Sequence, residues 1–301
     1  MVMRNNVKKI LIAFILMGSM ASCKKYLDIV HDNVATIENA FSLRVTAERY
    51  LFTCYSFLPA LANPAANMAF FSGDELWLEV YPFTEFNTNA WEIARGNQNV
   101  NDPLLNYWDG RMNGKNLWNG IRDCNIFLEN IMQVPDMKEP EKMQWAAEVK
   151  FLKAYYHFFL LRMYGPIPIM KTNLPISTSP EDVQLPRQPV DSVFNYIVQL
   201  LNEAAVNLLP SVLDENSELG RITLPICKAF KAEVLVYEAS PLFNGNPDYT
   251  NFTNNDGTHL FSQSVSKEKW EDAANACREA IELCQNLGYE LYTFQETQQA
   301  R

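Results

Sequence analysis

Between Phe70 and Trp108 the chain places nine aromatic residues in a stretch of 39, about twice its average density: Phe70, Phe71, Trp77, Tyr81, Phe83, Phe86, Trp91, Tyr107 and Trp108. Interleaved with them are Asp74, Asn87, Asn89, Arg95, Asn97, Gln98 and Asn101. Such a mixture suits a saccharide. Flat rings lie against sugar CH surfaces, while amides and a few charges bond the hydroxyls. Trp77, Tyr81 and Trp91 are the first candidates to stack, as amphipathic rings flanked by polar residues and Pro82, with Asp74, Asn87 and Arg95 as polar partners. The same rings could instead pack this segment onto neighbouring helices. On the binding reading, Trp91→Ala weakens ligand binding without unfolding the chain.

Catalysis finds little support. A glycosidase needs two carboxylates about 5 Å or about 6.5–9.5 Å apart across a cleft. Asp74 and Glu75 are adjacent, and acidic neighbours in a loop are ordinarily solvated or cap a helix. The chain carries no nucleophile elbow, phosphate-binding loop or H-E-x-x-H. His31, His157 and His259 are isolated, which argues against zinc, and His157 reads as a packed core residue in an aromatic helix. Asn254-Asn255-Asp256-Gly257 lacks the spacing and final Glu of a calcium loop and reads as a turn. No catalytic residue, metal or cofactor is expected.

The beginning of the chain carries a compartment signal. Arg4, Lys8 and Lys9 precede an apolar run from Ile10 to Met17, followed by the small residues Ala21 and Ser22. This is the pattern of a secretory signal over residues 1–22. Even stretched to Met20, the run covers only about 17 Å as helix, against roughly 30 Å of bilayer hydrocarbon. Cys23 follows at once, as in a lipobox whose thiol is diacylated, with Met20 where Leu is usual. Two acyl chains anchor a protein stably in lipid, and no Asp follows Cys23 to retain it at an inner membrane. The outer membrane is therefore expected.

Loss of residues 1–22 takes the net charge from −10 to −13, so no nucleic acid is expected as a partner. The composition, 48 % hydrophobic and 20 % charged, is that of a folded chain. Cys54, Cys124, Cys227, Cys277 and Cys284 are odd in number, without any C-x-x-C, so a disulfide framework is not indicated. Cys277 and Cys284, about 10.5 Å apart along one helix, read as small core residues.

Apolar residues recur at helical spacing over six segments, near 42–58, 115–134, 141–164, 190–209, 225–242 and from 266 onward, with Gly288 as the last stop. The third is apolar nearly all round and should lie centrally. A long aromatic-rich loop, 59–114, separates the first two. The tetratricopeptide second-helix triplet A-x₃-F-x₂-A is met by Ala147, Phe151 and Ala154, and with Val for Phe by Ala232, Val236 and Ala239. Trp270, Ala273, Ala274 and Cys277 fit the first-helix spacing. The expectation is an all-α, tetratricopeptide-like array with long irregular loops over 23–301, incomplete at its C-terminal end because the stripe led by Trp270 lacks a partner helix. An irregular helical bundle is the alternative.

Seven motifs carry a family resemblance: S-C-K-K-Y-L-D at 22–28, S-G-D-E at 72–75, W-x-x-I-x-x-x-N-x-x-L at 118–128, E-x-x-F-L-K-A-Y-Y at 148–156, Y-G-P-I-P at 164–168, G-R-I-T at 220–223 and W-x-x-A-x-x-x-C-x-x-A-I at 270–281. In order and spacing they resemble the SusD/RagB family of outer-membrane nutrient-binding lipoproteins. The resemblance implies four tetratricopeptide units, oligosaccharide or peptide capture at the cell surface, an outer-membrane lipid anchor at Cys23, and a TonB-dependent outer-membrane transporter as partner. A tetratricopeptide-type scaffold for peptides or proteins is the other reading.

Overall fold

The computed structural model describes residues 37–63, 67–73 and 89–292. The expected signal segment 1–22, Cys23, Asp74, Trp77, Tyr81 and Asn87 lie outside them. The chain divides into two compact units, 1–39 and 40–301. Of the first only the opening of a short helix, α1 (Ile37–Ala40), is described.

The second unit is all α-helical among the described residues, and its helices stack in chain order as a tetratricopeptide-like array. Its long elements are α2 (Arg44–Tyr55), α5 (Leu117–Asn130), α6 (Glu139–Tyr164), α7 (Val190–Ala205), α9 (Leu224–Ala239) and α10 (Lys267–Asn286). Short helices α3 (Met68–Phe71), α4 (Asn89–Ala94) and α8 (Glu215–Glu218) fall within the connections. The first two therefore give structure to the stretch expected to be loop. Sequence accounts for the helix ends. Asn116 caps α5 by accepting from Asn119 N–H at 3.0 Å, Pro140 and Pro225 sit in first turns where a missing N–H costs nothing, and Gly288 closes α10 at φ +83°.

Helix α6 is the centre. Its buried residues, from Trp145 through Phe151, Tyr156 and Phe159 to Leu161, face every direction, and α5 and α7 pack on it from two sides. Close approach to α5 depends on Gly120, where a Cβ would meet Phe57 at 3.0 Å and Tyr156 at 3.2 Å. The α9–α10 contact is a separate cluster of small residues, Ala232, Ala239, Ala273 and Ala276 with Leu235.

Helix α10 corrects one expectation, since Cys277 and Cys284 are half-buried rather than core. It packs through Ala273, Ala276 and Ala280 and leaves Trp270, 47 % exposed, and Ile281 uncovered. Val236 of the second triplet is likewise exposed. Small side chains let α9 and α10 approach closely, and that contact fixes the rotation of the helix.

A buried ion pair joins α6 and α2 to the connection that leads into α9. Glu148 of α6 is fully buried and takes Arg221 in a two-bond fork, Nη2 to Oε1 at 2.6 Å and Nε to Oε2 at 3.1 Å. Tyr55 of α2 donates its hydroxyl to Glu148 at 2.6 Å and accepts from Ile222 N–H at 3.0 Å. Burial pushes the Glu148 carboxyl upward, against the pull of Arg221 and Tyr55. Removing one partner strands a charge in the core, which costs about 3–5 kcal/mol, while an apolar pair can be close to neutral. Arg221→Ala is therefore expected to lower the urea midpoint steeply. Glu148→Leu combined with Arg221→Met should recover much of the loss; a double variant no more stable than Arg221→Ala contradicts this account.

Candidate functional site

Among the described rings of the aromatic segment, Phe70 and Trp108 are exposed, and Trp108 borders a cleft. It is carried on a tight hairpin, residues 105–112, in which Leu105 N–H donates to Met112 C=O at 3.0 Å and Asn106 N–H to Arg111 C=O at 3.2 Å. The Asn106 side chain accepts from Trp108 N–H at 2.9 Å and Asp109 N–H at 3.2 Å, an Asx turn that fixes the backbone beneath the indole. Leu105, Met112 and Asn113 have φ of 47°, 48° and 66°, conformations that cost a non-glycine residue free energy. Gly114 passes so close to the Asn106 backbone that a Cβ would overlap it. Tyr107 is buried with its ring 4.7 Å from Phe159, and its N–H donates to the Tyr164 hydroxyl at 2.9 Å. The hairpin is thereby held to the end of α6.

Trp108 is 40 % exposed and packs edge-on against Trp118 and Tyr164, at 5.0 and 5.3 Å between ring centroids. It forms one wall of an open cleft of about 510 Å³. Trp118 and Arg122 of α5 form the floor and rim, and Asn173, Gln184 and Leu185, from the connection between α6 and α7, close the far side. Asn173 is a strut, accepting from Asn125 at 3.0 Å and donating to Arg122 C=O at 3.0 Å. Trp118 Nε1 and Asn125 Oδ1, both shielded from solvent, find no hydrogen-bond partner among the described residues. An unpaired buried polar atom costs about 1–3 kcal/mol.

The far wall is held by His157. Fully buried on α6, its Nδ1 lies 2.8 Å from Lys153 C=O and its Nε2 3.4 Å from Met170 N–H, which fits a neutral ring protonated on Nδ1. Burial is the main cause that drives its pKa down to about 4, the Lys153 carbonyl opposing it. Burial likewise brings the Lys153 ammonium down to about 8, its Nζ donating to Lys171 C=O at 2.7 Å.

The described site candidates fall out unevenly. Trp91, expected on the surface, is only 4 % exposed on α4, so it cannot offer a face to a ligand and Trp91→Ala reads as a core deletion. The helix it occupies is amphipathic over a single turn, too short for sequence periodicity to mark its inner side. Arg95 is exposed and pairs with Glu92 at 3.1 Å. Asn97 donates to Glu92, while Gln98 both donates to Leu104 C=O at 3.1 Å and accepts from Leu104 N–H at 2.7 Å, so these amides hold the loop itself. Sequence reasoning passed over Trp118, Arg122, Asn173 and Gln184. The turn residues of N-Y-W-D-G at 106–110 are the local signal that could have marked Trp108 for display.

A tetratricopeptide-like array with a half-exposed indole beside a largely apolar cleft, edged by Arg122 and a few amides, defines a protein of the helical-repeat class. The chain belongs to the SusD-like family described as starch-binding and associating with the outer membrane, whose sequence model matches residues 25–229. A SusD-like protein of Bacteroides ovatus is 26 % identical over 182 residues, 58 % of this chain and 28 % of that protein. The solved structure of BT4246 superposes with a TM-score of 0.70 at 32 % identity, over 86 % of this chain and 43 % of its own. A SusD-like protein from Bacteroides fragilis (TM-score 0.60, 20 % identity, 85 % of this chain, 42 % of that one) and a laminarin binding SusD-like protein (0.53, 22 %, 66 % and 41 %) share the fold. The chain thus spans less than half the length of these relatives. Among the described residues no helix is long and apolar enough to cross a membrane.

His157 yields a pH prediction. Its folded pKa, about 4, lies below its unfolded value of 6.5, so the unfolded chain binds the extra proton. Stability from this group is complete above pH 6.5 and is lost as pH falls toward 4. Between pH 7 and pH 5 the loss is about 2 kcal/mol. Urea unfolding of His157→Gln should show a correspondingly flatter acid limb; an unchanged limb would refute the assignment.

Proposed function

We propose that the chain captures glycans at the cell surface and delivers them to a partner TonB-dependent transporter in the outer membrane. The observation that carries this reading is the Trp108 cleft: one fixed, half-exposed indole, an apolar wall, and Arg122 with amides at its edge. Sugar CH groups would lie on the ring while the rim bonds the hydroxyls. Membership of a starch-binding, outer-membrane-associated family supports it. The laminarin binding relative contributes by its fold alone. Asp74, Trp77, Tyr81 and Asn87, with Arg95, are proposed to extend the surface beyond the cleft. The function is binding without catalysis, and attachment is through an acylated Cys23 in the outer membrane.

Trp108→Ala tests the reading. One stacked ring contributes about 0.5–1.5 kcal/mol beyond the area it buries, so roughly a tenfold weakening is expected in calorimetry against a panel of soluble polysaccharides. Trp108 also packs on Trp118, so circular dichroism must show the variant folded. Undiminished affinity in a folded variant removes the cleft from the site.

A further inference from the structure

Two cysteines that sequence spacing leaves unconnected meet in the core. Cys54 lies on α2 and Cys124 on α5, both are wholly buried, and the two helices pack together. The Cys124 thiol lies close enough to Cys54 for the two side chains to interact. Both sulfurs are thiols in this structure. The other described cysteines are placed differently: Cys227 donates to Leu201 C=O at 3.4 Å, and Cys277 and Cys284 lie seven positions apart on α10.

We propose that Cys54 and Cys124 are joined as a disulfide in the exported protein. The proposal rests on the export reading above, since disulfides persist in oxidising compartments. The oxidant is the reactive disulfide of an extracytoplasmic thiol oxidase. One cysteine, as thiolate, attacks that disulfide, and an oxidase thiolate leaves. The second cysteine then attacks its partner's sulfur, the mixed disulfide breaks, and the oxidase departs as a dithiol carrying two electrons and two protons.

Timing follows from burial. The packed core pushes the Cys124 thiol well above its ordinary pKa and leaves neither sulfur accessible, so exchange occurs before α5 docks on α2. Docking then shields the bond from reductant. The bridge closes a loop of about 70 residues that contains the whole aromatic-rich stretch and the Trp108 hairpin. Closure of a loop that long removes much of the unfolded chain's freedom and should raise Tm by roughly 10 °C.

The test is mass spectrometry of the full chain secreted with its own leader, quenched in acid, alkylated in denaturant without reductant, and digested. A peptide pair joined through positions 54 and 124, two hydrogens lighter than the separate peptides, is the expected result. Complete alkylation at both positions overturns the proposal. Refolding the cytosolically produced chain in a glutathione redox buffer then shows why. A bridge formed there, but missing from secreted protein, faults the export reading; none in either sample faults the pairing.

Discussion

The carboxylate of Glu148 is removed from water entirely, and the rest of the array is arranged around answering that charge. An isolated carboxylate in a core is unsustainable, so it requires a fixed partner at fixed geometry. Arg221 supplies two hydrogen bonds from a position 73 residues away, and Tyr55 supplies a third from α2. Arg221 is held in turn by Glu218 at 2.7 Å, and its guanidinium lies over the ring of buried Trp145, 5.7 Å from the centroid. The consequence is positional: α2, α6 and the approach to α9 share one register. Two sequence motifs that look independent, E-x-x-F-L-K-A-Y-Y and G-R-I-T, are the two halves of this single contact.

Helix α6 transmits that register to the cleft. From Glu148 to Tyr164 it runs sixteen residues, about 24 Å of uninterrupted helix. At its far end the Tyr164 hydroxyl accepts the backbone N–H beside Trp108, and about two turns earlier His157 holds the Met170 backbone on the other side of the cleft. One rigid rod therefore sets both walls. That is why a cleft assembled from a hairpin, a helix and an irregular connection has a defined width.

Periodicity made the six long helices legible because each shows several turns of apolar recurrence, and their ends differ from the expected ones by only a few residues. Helices α3, α4 and α8 escaped because four to six residues carry too little pattern. The candidate rings show a different limit. Trp91 and Trp108 both sit among polar neighbours in sequence, yet one is buried and the other displayed. What separates them is the hairpin and its bond to Tyr164, contacts across 57 residues that no local pattern encodes. Helix α10 makes the same point, since its small-residue ridge defeats the larger Trp270 and Ile281 for the inner face.

The strain in the hairpin bears on how such a cleft could hold a sugar. Three non-glycine residues in left-handed conformations cost on the order of 1–3 kcal/mol each, and they persist because Tyr107 burial, the Asx turn and the Tyr164 bond over-determine the backbone. In return the indole is oriented before any ligand arrives, which avoids the roughly 0.5–1.5 kcal/mol of ordering that a mobile side chain would lose on binding. That saving is comparable to the stacking gain itself. A single ring would contribute nothing net if it had to be immobilised first, so a saccharide site built from few aromatics needs a rigid frame. The buried ion pair, the α6 rod and the strained hairpin together supply it, and an extended glycan could add further weak contacts on neighbouring rings without each one repeating that ordering cost.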